Sequence, residues 1–106
     1  MTPAAEDVPI ACTLDAGSLV DRVDEWRNLV AAYVVSVAAD PTTVRLVLEH
    51  SDAALVTASS LGQREKQCCA FFEVSIELEA ERRCLVLRVP DGAEDALAMF
   101  KDVLGL

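Results

Sequence analysis

The apolar residues of this chain change their period twice in the same way, and that alternation limits what it can fold into. Leu19, Val23, Trp26, Val30 and Tyr33 recur at spacings of four, three, four and three, which lays them on one face of a helix. Asp15 or Ser18 can cap its start, and Asp21, Arg22, Asp24 and Arg27 fall largely off the apolar face. At Val34 the period drops to two. Residues 34–39 and 42–49 are rich in β-branched side chains and are separated by Asp40-Pro41, a turn-forming dipeptide, so they read as a hairpin. Val44, Leu46 and Leu48 share one of its faces, with Arg45, Val47 and Glu49 on the other.

The same order then repeats. Ser51 can cap a second helix over about residues 52–71, interrupted only by Gly62, which costs a helix about 1 kcal/mol relative to Ala. A second hairpin spans residues 72–79 and 83–89 and turns at 80–82. Val74, Ile76 and Leu78 face inward from one strand, and Leu85, Leu87 and Val89 from the other. Pro90-Asp91-Gly92 ends it, and residues 93–104 form a closing helix with a Leu97, Phe100, Leu104 stripe. Ahead of all this, residues 1–8 read as a flexible tail, and residues 10–14 as a short strand that puts Cys12 on the face of Ile10 and Leu14. The two halves share no residue-level repeat and match no solenoid period. The expected fold is therefore α+β: one domain over residues 9–106, with a mostly antiparallel sheet of four to five strands and three helices packed on one face.

Composition narrows the function classes. A chain of 106 residues that is 53% hydrophobic is long enough for one core and too short for two ordinary ones. Its 18 acidic against 9 basic side chains give a net charge of -9, and the only adjacent basic pair, Arg82-Arg83, lies beside Glu79 and Glu81. Direct nucleic-acid binding is not expected of such a surface. There is no apolar run of about 18 residues, and acids stand where a secretory signal would begin, so the expected location is the cytosol, with no membrane. Thiols are kept reduced there, which makes the four cysteines thiols, metal ligands or core residues rather than a disulfide framework.

The one chemically pointed feature lies on the second helix. Ala54, Ala58, Leu61, Glu65, Cys68 and Phe72 recur at four, three, four, three and four, so a carboxylate sits within an inward stripe. Glu65 is three residues from Cys68 and four from Cys69, and both thiols can flank it. Adjacent Cα atoms about 3.8 Å apart are too close for an ordinary Cys68-Cys69 disulfide. Because those two side chains diverge by about 100° around the helix, a third group must close any shared site. Cys12 is the natural candidate. Thiolates suit soft ions such as Zn(II), Cu(I), Cd(II) or Hg(II), giving Cys12, Cys68, Cys69 and Glu65 as a metal site. Two plainer readings stand beside it: buried cysteine as a small apolar group, and Glu65 turned outward to Arg64 or Lys66. Cys84 alternates away from Leu85, Leu87 and Val89 and is left out of the site. His50, at a strand end, reads as a solvated turn residue. No CxxC, HExxH, phosphate loop, GxSxG or dinucleotide fingerprint occurs, so nothing specifies a reaction, and a binding module is expected rather than an enzyme. Val47 and Val86 amid Arg45, Glu77 and Arg88 on the second sheet face point to a homodimer.

Pro9-Ile10-Ala11-Cys12-Thr13-Leu14, Glu25-Trp26-Arg27 with Leu29, and Glu65-Lys66-Gln67-Cys68-Cys69-Ala70-Phe71-Phe72 together resemble a small actinobacterial-type family. Its members share a CTL start, an ExxCCxF helix and a closing P-x-G-A segment, here Pro90-Asp91-Gly92-Ala93. The resemblance covers nearly all of the chain after residue 8, and ExxCCxF is its most specific part. Similar segments occur as C-terminal appendages of MerR-type regulators, a family that senses metals, oxidants or drugs. The resemblance implies an effector-sensing role, with an effector or regulatory protein as partner, and a thiol-lined site at Cys12, Glu65, Cys68 and Cys69. The regulators' DNA-reading function is not expected to carry over, because residues 1–106 show no winged-helix reader ahead of this segment.

Overall fold

The computed structural model describes residues 16–68 and 72–106, with side chains from residue 20 onward. The elements run α1 (Ala16–Tyr33), β1 (Val34–Asp40), β2 (Thr43–Leu48), α2 (Asp52–Cys68), β3 (Glu73–Leu78), β4 (Arg83–Arg88) and α3 (Glu94–Leu104). Four strands form one antiparallel sheet in the order β1-β2-β4-β3. Both expected hairpins form, and their inner strands, β2 and β4, pair with each other. The expected tail at 1–8, the strand at 10–14 and the last turn of the second helix fall outside the described residues.

Local signals explain the boundaries. Asp40 Oδ1 accepts from the Thr42 N–H at 2.9 Å, closing the two-residue turn that Pro41 begins. Ser51 Oγ accepts from the Ala54 N–H at 3.1 Å and caps α2. α3 ends at Gly105, whose φ of 72° is the left-handed cap conformation, with its N–H bonded to the Asp102 carbonyl and the next N–H to that of Lys101.

The helices cover one sheet face. Val44, Leu46, Leu48, Leu85 and Leu87 are fully buried beneath Trp26, Leu29, Ala54, Ala58, Leu61, Leu97 and Phe100 in a single core. Phe100 of α3 packs edge-on against Trp26 at 5.1 Å and against Phe72 at 5.5 Å between ring centroids. Gly62 is what lets α2 approach the sheet: a Cβ there would lie 2.9 Å from Val74 Cγ1 and 3.2 Å from Leu85 Cδ1. Its cost to the helix is the cost of that close contact.

Three sequence expectations about faces are corrected. The inward side of α1 is centred on Trp26 and Leu29, with Val23 and Val30 only half-buried; Leu19 lies outside the described side chains. Arg22, expected off the apolar face, is turned inward with its side chain 13% exposed. The second sheet face is also more closed than expected. Arg45 and Glu77 reach across β4 in a two-pronged pair at 3.1 and 3.3 Å, over the strand that carries Cys84 and Val86. Both of those residues are fully buried, so Val86 offers no open surface for self-association there. Leu78, expected to face inward, is 66% exposed at the end of the edge strand β3. No helix among the described residues is long and apolar enough to cross a membrane.

Candidate functional site

Among the described residues Glu65 is the one charged side chain in the core, at 1% exposure. A carboxylate removed from water is tolerable only when its charge is met. Two side chains of α1 meet it. Trp26 Nε1 donates to Oε1 at 2.9 Å, and Arg22 Nη1 reaches the same oxygen at 3.3 Å. Arg22 and Trp26 are four residues apart on α1, so they project from one side of that helix towards one point on α2. The turn of Glu65 outward to Arg64 or Lys66 does not occur; Arg64 Nη1 reaches Glu25 instead, at 2.7 Å.

The second carboxylate oxygen behaves differently. Glu65 Oε2 is buried and has no hydrogen-bond partner among the described residues. The cavity between Arg22, Trp26, Glu65, Phe100 and Leu104 measures about 10 Å³, the size of a single water and too small for an organic ligand.

Cys68 follows Glu65 by one turn of α2 and is 6% exposed. Cys68 and Cys84 carry thiols rather than disulfides. Cys84 sits on the other side of the sheet, opposite Val47 and Glu77 in register, so its separation from the Glu65 stripe is as expected. Burial pushes its thiol above the ordinary value. Cys12 and Cys69 lie outside the described residues. Among the described residues no group of three or more His, Cys, Asp or Glu side chains is placed to hold a metal ion. His50 is exposed, and its Nε2 donates to the Glu81 carbonyl at 2.9 Å.

The helix pairing fixes which ends meet. A groove of about 320 Å³ between α1 and α2 is lined by Glu25 and Arg64 and, further along, by Tyr33 and Thr57. Later residues of α1 thus meet earlier residues of α2, and the two helices run antiparallel. The start of α1 at Ala16 accordingly lies at the Cys68 end of α2.

Sequence reasoning found Glu65 and Cys68 from their spacing but missed Arg22. Its signal was available: Arg22, Trp26 and Leu29 form a stripe at four and three that competes with Val23, Trp26 and Val30. Only the presence of a buried acid on the facing helix selects it. Compared with protein-family models, with curated proteins and with solved structures, the chain matches none.

Proposed function

We propose that this chain is a small cytosolic binding or sensing module whose thiol-lined site takes a soft cation of the Zn(II), Cu(I), Cd(II) or Hg(II) type. Cys68, Cys69 and Cys12 supply thiolates, and Glu65 serves as a ligand or as an acceptor behind them. The observation that carries this reading is the buried, unpartnered Oε2 of Glu65, one helical turn from Cys68. Chain connectivity is compatible with the third ligand. Cys12 precedes Ala16 by four residues, a span of at most about 14 Å, and Ala16 is at the Cys68 end of the helix pair. The likeness to appendages of MerR-type regulators fits an effector-sensing role, exercised as a homodimer on a regulatory protein partner rather than on nucleic acid.

A second reading is favoured by the other carboxylate oxygen. Arg22 and Trp26 already compensate Glu65, as they would in a metal-free interaction domain whose cysteines are core residues.

Metal titration of the reduced protein separates the two. The module predicts stoichiometric, sub-micromolar binding that is lost in Cys68→Ser and weakened in Cys12→Ser and Cys69→Ser. Trp26 is the only tryptophan and is bonded to Glu65, so its fluorescence should change on binding. Equally weak uptake by all variants, with unchanged fluorescence, leaves the interaction-domain reading.

A further inference from the structure

We infer, resting on the thiol-site reading, that Arg22 is a built-in counter-ion which a metal ion must displace from Glu65, and that Glu25 is the carboxylate to which it withdraws. The chain then carries its own competitor for the ion it binds.

Arg22 stands between two acids. Its Nη1 lies 3.3 Å from Glu65 Oε1 on α2, and its Nε lies 3.9 Å from Oε1 of Glu25, three residues on along α1. The inner acid is 1% exposed and the outer one 42%, with Arg22 at 13% between them. The outer position is already built, because the other oxygen of Glu25 is held by Arg64 Nη1 at 2.7 Å. A guanidinium that leaves Glu65 for Glu25 moves towards water and towards a second carboxylate, so its charge is met in both positions.

Arg22 also grips its buried acid less firmly than Arg45 and Arg27 grip their acceptors. Arg45 closes Nε and Nη2 on both oxygens of Glu77, at 3.1 and 3.3 Å. Arg27 closes the same two nitrogens on the Val103 carbonyl, at 3.1 and 2.9 Å. Arg22 gives Glu65 a single nitrogen, and so forgoes the strength and geometry of the fork. The closer donor on Oε1 is Trp26, at 2.9 Å, which carries no charge and need not move. Oε2 belongs to the same carboxylate, so a metal ion ligated there would lie within about 8 Å of the guanidinium. At an effective dielectric of about 20, two like charges that close oppose each other by more than about tenfold in affinity.

Zn(II) titration of the reduced chain by calorimetry tests this. Arg22→Met should bind Zn(II) more than about tenfold more tightly than the wild type, and Arg22→Lys, which keeps the charge, should not. Glu25→Gln removes the outer position and should weaken binding by about threefold. In an Arg22→Met background the same change should do nothing, because Glu25 acts through the arginine. Asp24→Asn removes one charge from the exposed neighbour of Glu25 and should leave the affinity within about twofold of the wild type. Both of these acids are on the surface, so their comparison stands even where Arg22→Met does not fold. A folded Arg22→Met that binds no more tightly, or equal weakening by Glu25→Gln and Asp24→Asn, overturns the displacement and leaves Cys68-dependent binding by the wild type intact. Zn(II) taken up by none of these proteins, Arg22→Met included, overturns the thiol site and the displacement together.

Discussion

The indole N–H of Trp26 donates to Glu65 Oε1 at 2.9 Å, joining the only tryptophan of the chain to the only charged side chain in the core among the described residues. Arg22 completes the compensation from 3.3 Å, but the two partners of that ion pair are unequally buried: Arg22 is 13% exposed and Glu65 1%. The inequality makes a prediction. Arg22→Met strands a buried carboxylate and should cost about 3 kcal/mol, the range for breaking a buried pair from one side. Glu65→Gln keeps an acceptor for the Trp26 N–H, leaves an arginine able to reach water and fills the same volume, so it should cost under about 1.5 kcal/mol. Urea unfolding of both variants measures the order, and equal losses would contradict it.

Gly62 should resist replacement. Alanine is the better helix former by about 1 kcal/mol. Here its methyl would lie 2.9 Å from a branched valine carbon that cannot swing aside. Overpacking of this kind costs about 1–3 kcal/mol, so Gly62→Ala should come out destabilised by about 1 kcal/mol net. A rise in melting temperature would show that α2 can lift from the sheet without loss.

The Arg45 fork, chiefly by hydrogen bonding and then by its charge, holds the Glu77 carboxyl below its ordinary 4.5. A group depressed on folding stabilises the fold above its unfolded value, and the contribution is lost as pH falls through the folded value. The melting temperature gap between the wild type and Glu77→Gln should therefore be constant from neutral pH down to about 4.5 and close below it. Asp40, lowered from 3.8 mainly by the Thr42 N–H, should show the same sign in Asp40→Asn, over a window beginning lower. A gap that widened on acidification would reverse the assignment.

Cys84 lies in the strand that this same pair bridges, and burial raises its thiol above the ordinary 9.0. Alkylation follows the thiolate, so Cys84 should label much more slowly in the folded protein than in urea at neutral pH. Peptide mapping of the modified residue reads it directly. Fast labelling of the folded wild type would mean that the second sheet face is open.

Much of this molecule is legible in its sequence, for a physical reason. Period, turn chemistry and capping act between residues a few positions apart, so Asp40-Pro41, Ser51, Gly92 and the alternations of Val44–Leu48 and Leu85–Val89 announce their elements before any contact is known. The inward stripe of α2, with Glu65 in it, is equally local. What tertiary structure alone decided lies between elements. That α1 turns Arg22 inward alongside Val23 depends on what faces it: a buried acid 43 residues away receives the arginine. Whether Val86 is open or closed is set by what lies over its face of the sheet, where Arg45 and Glu77, 32 residues apart, reach across β4. Whether Gly62 is a flaw or a fit depends on Val74 and Leu85 beneath it. The edge position of β1 is likewise invisible until the strand order β1-β2-β4-β3 gives it a single strand neighbour among the described residues, because pairing is a relation between segments and not a property of either.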